Sequence, residues 1–121
     1  MSGSARIALA AAAILSAGCT EDAPSMIPVD VSATIPLRQV TCKVEQGGEA
    51  IQTDRYDWGR ASDSVLRIAV LLPPRISGEV LLEVSGTTPE DRSTPTRSHR
   101  LQVTPGQVAA TVRVVLLPPP P

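Results

Sequence analysis

One histidine, two cysteines, one tyrosine and one tryptophan are the scarce, chemically specific residues of this chain of 121 residues. His99 stands between Ser98 and Arg100, with no second histidine and no cysteine beside it. A protein zinc site takes three or four nitrogen, sulfur or carboxylate ligands, which this neighbourhood does not offer. A serine relay needs a strained turn of the G-x-S-x-G kind to present its nucleophile, and no such motif occurs. His99 therefore reads as a solvated side chain just ahead of a strand. The carboxylate pairs Glu21-Asp22 and Glu90-Asp91 lie in polar segments. Acid–base catalysis needs rigid placement and shifted pKa values, and a calcium loop needs carboxylates at alternate positions. With no glycine-rich phosphate loop either, the expectation is a chain with no catalytic residues, no metal and no cofactor: not an enzyme.

Tyr56-Asp57-Trp58 gathers both aromatic residues of the chain. Two rings beside a carboxylate can form a platform for a sugar, another small ligand or a cation, or an anchor for a protein partner. The competing use is structural, since a chain with no phenylalanine needs bulk for its core. Tyr56 and Trp58 are thus the candidate ligand or partner contacts, with Trp58 also expected in the core. Cys42 alternates with polar residues between Val40 and Val44, which points to a small buried apolar side chain rather than a reactive thiol.

Cys19 has a different context. Arg6 precedes an uncharged run, Ile7 to Leu15, and Ser16-Ala17-Gly18 leads into the cysteine. A positive residue, a short apolar stretch and small residues at its end form an export signal, and the run is far short of the roughly 20 residues that cross a bilayer. Leu15-Ser16-Ala17-Gly18-Cys19 resembles the bacterial lipobox, although Ser16 stands where that motif usually has an aliphatic residue. The resemblance covers residues 1–19 only. It implies cleavage before Cys19, lipid on that cysteine, and a membrane-anchored place in the cell envelope. Thr20 rather than aspartate after the cysteine implies the outer membrane in a bacterium with two. Two or three acyl chains on one residue retain a protein where a single chain does so only marginally.

Ten basic and twelve acidic residues follow position 18, scattered without blocks, for a net charge of −2. Such a surface offers no field for nucleic acid. Beyond a short polar tether, apolar residues recur at every second position: Val29 to Ile35, Val40 to Val44, Leu66 to Leu72, Val80 to Val84, Leu101 to Val103 and Val108 to Leu116. Pro36, Gly47-Gly48, Pro73-Pro74, Gly78, Gly86 with Pro89, and Pro105-Gly106 punctuate these runs, with Pro105-Gly106 as a hairpin-like corner. Thr87 to Ser98 reads as a long exposed loop, and Gly47 to Asp63 fits neither class.

Closely spaced strands without interleaved helices predict an all-β fold, a small antiparallel β-sandwich after an N-terminal signal helix. The pattern resembles immunoglobulin-like or fibronectin-like sandwiches, without the cysteine pair of antibody domains; a transthyretin-like sandwich fits equally. The expected organisation is a leader over 1–18, lipidated Cys19 and tether over 19–27, the sandwich over 28–117, and a polyproline tail over 118–121. The expected core is Val29, Val31, Ile35, Val40, Val44, Trp58, Leu66, Ile68, Val70, Val80, Leu82, Val84, Leu101, Val103, Val112, Val114 and Leu116. The expected role is non-enzymatic, structural or protein-interacting. The expected partners are the membrane, through Cys19, and an envelope protein. The alternative is binding of a small ligand or carbohydrate through Tyr56 and Trp58.

Overall fold

A computed structural model describes residues 23–58 and 65–121; the expected leader, Cys19 and residues 20–22 of the tether lie outside the described residues. The described chain forms seven strands: β1 (Ser25–Ala33), β2 (Gln39–Gln46), β3 (Glu49–Asp57), β4 (Val65–Leu72), β5 (Gly78–Thr87), β6 (Arg97–Val103) and β7 (Val112–Leu116). They make two packed sheets, one three-stranded in the order β4-β1-β7 and one four-stranded in the order β3-β2-β5-β6. The fold is all-β, a small β-sandwich.

Alternation sets the layers, because successive side chains of a strand point to opposite faces. Ile27, Val29 and Val31 of β1, Val40, Cys42 and Val44 of β2, and Val80, Leu82 and Val84 of β5 are buried. Ile68, Val70 and Leu72 of β4 and Val114 and Leu116 of β7 complete the interior, joined by Leu37, Ile76, Trp58 and Val103. Ile35, Leu66, Leu101 and Val112 pack at its margin and keep partial exposure. The core is almost entirely branched aliphatic, as the composition requires.

One pairing departs from the antiparallel expectation. β1 pairs with β4 antiparallel but with β7 parallel, from Val29↔Val112 to Ala33↔Leu116. The corner at Pro105-Gly106 therefore does not close a hairpin. Gln107 N–H donates to Thr104 O at 3.0 Å and Gly106 has φ +79°, a turn with proline second and glycine third in which the third residue must adopt positive φ. The chain then leaves the four-stranded sheet for the edge of the other, and Val108 lies exposed.

β1 begins at Ser25, upstream of the expected domain boundary at residue 28, and Ile27 is fully buried. Pro28 sits inside this central strand, where a residue without an N–H normally weakens the ladder. The neighbouring register explains its place. Met26 N–H donates to Gln107 O at 3.1 Å, and Met26 O accepts from Ala109 N–H at 2.8 Å. Alternate residues of β1 thus turn their backbone toward the β7 side, Pro28 among them. Between the bridge Met26↔Val108 and the pair Val29↔Val112, the facing chain carries one extra residue. The missing donor of Pro28 coincides with this interruption.

Two segments differ from the sequence expectation. Glu49–Asp57 is a full strand, β3, paired along β2 and joined to it through Gly47 and Gly48, whose φ values of +63° and +83° suit a tight hairpin that residues with a Cβ adopt poorly. The stretch 87–98 is not a plain exposed loop. Thr94 exchanges two hydrogen bonds with Gly86: its N–H donates to Gly86 O at 2.9 Å and its Oγ1 accepts from Gly86 N–H at 2.8 Å. Thr88 and Thr94 are buried, and β6 starts at Arg97. His99 accordingly lies within β6, opposite Leu82, rather than ahead of a strand.

Gly86 faces inward on β5, and a Cβ there would stand 2.8 Å from Leu37 Cδ1 and 3.2 Å from Leu116 Cδ1. Overpacking of this kind typically costs about 1–3 kcal/mol. Gly86→Val is expected to lower the urea midpoint by a loss in that range with the m-value unchanged, which equilibrium unfolding measures.

Candidate functional site

Trp58 follows β3, and its N–H donates to Arg38 O at 2.9 Å, tying the end of β3 to the β1–β2 connection. Its side chain is only 2% exposed. Tyr56, two residues earlier, shares the inward face and packs at the core margin opposite Val40. Burial, and then the charge of Asp54, push the Tyr56 hydroxyl above its ordinary pKa. The core placement of Trp58 holds. The ligand platform does not follow from it, because Trp58 turns no ring face to solvent. Residue spacing carries this outcome: positions 56 and 58 of an extended strand face the same way, and here that way is inward.

Besides Ile51, which also packs against the core, the inner face of β3 is polar. Gln52, Asp54 and Tyr56 oppose Val44, Cys42 and Val40. Gln52 Nε2 donates to Asp54 Oδ2 at 2.7 Å and to Leu71 O of β4 at 2.8 Å. A glutamine thus crosses from the edge of one sheet to a backbone carbonyl of the other. β6 does the same on the opposite side. Arg97 and His99 lie on its inward-facing positions, and Arg97 Nη1 reaches Val115 O of β7 at 3.5 Å. Both lateral openings of the sandwich are therefore bridged by a side chain satisfying a carbonyl on the opposing edge strand. Inward polar residues are also a known defence of edge strands against further pairing.

Cys42 is fully buried and unpaired. Burial first, and the nearby Asp54 carboxylate second, push its thiol up to about 11. The thiolate is the reactive form, so this cysteine is chemically quiet. Among the described residues no group of three or more His, Cys, Asp and Glu side chains is placed to hold a metal. Glu90 and Asp91 lie at an exposed turn where Asp91, at φ +64°, pairs with Arg38. Arg92 beside it donates to Pro120 O and so holds the C-terminal tail. A cleft of about 310 Å³ opens there between Ile35, Pro36, Pro89 and Pro118.

The two outer faces of the sandwich differ in kind. On the four-stranded sheet, Lys43 lies 3.0 Å from Glu45 and 3.4 Å from Glu83, with Arg55, Asp57 and Arg100 around them. Hydrogen bonding to Glu45 and then to Glu83 holds the Lys43 ammonium above its usual pKa, and the bond to Lys43 holds the Glu45 carboxyl below its own. The three-stranded sheet instead presents Val65, Leu71 and Val115, 47%, 55% and 46% exposed, with Val108 at 64% beside Met26. One charged row crosses it: Arg67, Asp30 and Arg113 stand side by side, with Arg67 Nε 3.9 Å from Asp30 Oδ1. Sequence reasoning missed this face, yet a signal exists. Val70-Leu71-Leu72 and Val114-Val115-Leu116 are apolar at consecutive positions, and a strand apolar at both parities has an apolar face on each side.

No family model, no curated protein and no solved structure matches this chain.

Two predictions follow from the buried residues. Removing a large buried aromatic typically costs about 3–5 kcal/mol, so Trp58→Ala should lose about that much in equilibrium unfolding, and iodide should quench the native Trp58 emission far less than the unfolded one. For Cys42 the folded pKa of about 11 exceeds the reference value of 9.0. The unfolded chain therefore ionises first, so the contribution of this thiol to stability is intact below pH 9.0, declines from there toward pH 11 and then levels off. Unfolding midpoints measured across that window should fall more steeply for the wild type than for Cys42→Ala.

Proposed function

We propose that this protein is a lipid-anchored β-sandwich of the bacterial cell envelope, carried on the outer membrane where there are two, with a non-enzymatic structural or protein-interaction role. The observation that carries the reading is the uncharged run Ile7 to Leu15 closing at Leu15-Ser16-Ala17-Gly18-Cys19. A thioether-linked diacylglyceryl group on Cys19, with a further acyl chain on its freed amine, supplies the two or more chains that stable anchoring takes.

The architecture supports a binding rather than a catalytic role. Cys42 and Trp58 are consumed in the interior, and Asp54 is engaged by Gln52. The polar four-stranded face, with its fixed Lys43–Glu45–Glu83 cluster, offers an envelope partner a charged surface of defined pattern. Burial of Trp58 weighs against the alternative of a carbohydrate site built on Tyr56 and Trp58.

Metabolic labelling with a fatty-acid probe tests the anchoring. The wild type should take up label and fractionate with membranes, and Cys19→Ala should lose both. Label that persists in Cys19→Ala refutes the reading.

A further inference from the structure

We propose that the outer face of the three-stranded sheet lies against the bilayer that holds the anchor, with Leu71, Met26, Val108, Val65 and Val115 at the lipid interface. The inference rests on the anchoring reading above. Three observations carry it beyond that reading.

The first is chain length. Only five residues separate Cys19 from Ser25, the first residue of β1. An extended chain spans at most about 3.6 Å per residue, so the start of β1 stays within roughly 20 Å of the acylated residue. β1 is the middle strand of this sheet, and the row Leu71–Met26–Val108 crosses its first turn of pairing. The tether therefore keeps the N-terminal end of this sheet close to the membrane surface, where the make-up of the two outer faces decides which one turns toward the lipid.

The second is composition. A surface that rests in the headgroup region combines exposed apolar side chains with basic ones. This face carries Arg67 and Arg113 against one acid, Asp30, already beside Arg67. The long arginine side chains can reach lipid phosphates while the valines and leucines meet the acyl boundary. The other outer face balances Glu45, Glu83 and Asp57 with Lys43, Arg55 and Arg100, and among the described residues it lacks such a cluster of exposed apolar side chains.

The third is area. Strands of nine, eight and five residues, about 4.8 Å apart and rising about 3.3 Å per residue, give a face on the order of 350 Å². A standard interface between free proteins buries about 800 Å² per partner, so this face alone is small for a stable dimer in solution. A tethered domain needs far less, because tethering makes the contact effectively intramolecular.

Spin labels on the acylated full chain in vesicles of phosphatidylethanolamine and phosphatidylglycerol test the proposal. Ala69→Cys places a label on the three-stranded face and Thr53→Cys places one on the opposite face; buried Cys42 does not compete for reagent. Dissolved oxygen should relax the Ala69 label several-fold more effectively than a water-soluble nickel chelate, with the order reversed at Thr53. The double variant Leu71→Asp, Val115→Asp should remain acylated and vesicle-bound while the Ala69 label becomes open to nickel. An acylated chain whose Ala69 label is as open to nickel as Thr53 overturns this proposal and leaves the anchor standing. Protection of Ala69 from both reagents that appears only as protein concentration rises shows a second copy on the face, and overturns it equally. An unmodified thiol at residue 19, read by mass spectrometry of the N-terminal peptide, removes the anchoring and this inference together.

Discussion

Two sheets stay together only where each turns an unbroken apolar surface toward the other, and this chain must build both surfaces almost without aromatic rings. Branched aliphatic side chains meet the requirement because their stiff rotamers suit a pleated strand and interdigitate with little entropy left to lose. Val29, Val31, Val40, Val44, Val70, Val80 and Val84 are all buried in consequence. Such a core has small knobs and shallow holes, so local bulk is costly wherever it is forced in. Gly86 leaves the room that Leu37 and Leu116 occupy. Trp58 is the single large ring inside, placed at the margin where β3 ends and the backbone of Arg38 can hold it.

The lateral openings pose the opposite problem. At an edge, water reaches the inner face, and carbonyls of the outermost strands lose their ladder partners. Gln52 and Arg97 answer both needs by crossing between the sheets to Leu71 O and Val115 O. The buried Cys42 feels one result, since Asp54, positioned beside Gln52, adds its charge to the desolvation that keeps the thiol protonated.

This division between centre and edge decides how much of the fold could be read in advance. β1, β2, β4, β5 and β7 announce themselves through alternation, because their inner positions are shut off from water and must be apolar. β3 does not, because Gln52 and Asp54 occupy inner positions at a wet edge and break the period. The start of β6 is hidden for the same reason, through Arg97 and His99. Pro28 disguises the start of β1, since a proline argues against a central strand until the interrupted pairing at Ala109 is known. The stretch 87–98 is polar in sequence but owes its order to hydrogen bonds of Thr88 and Thr94, which leave no hydrophobic trace. The candidate site was legible in part. The spacing of Tyr56 and Trp58 places both rings on one face, but which face is inner depends on pairing across the sheet. The apolar outer surface is foreshadowed by adjacent valines and leucines, whose meaning emerges only once β4, β1 and β7 are known to be neighbours.

The parallel union of the first and last strands has a mechanical side. β1 enters the sandwich at one end and β7 leaves it at the other, side by side over five paired positions. Tension applied between the two ends of the sandwich would run along both strands in opposite senses. The ladder between them would be loaded in shear, with its hydrogen bonds sharing the force at once rather than opening in sequence like a zipper. A module joined in this way resists pulling along the line between its termini better than pulling that peels a single edge strand away.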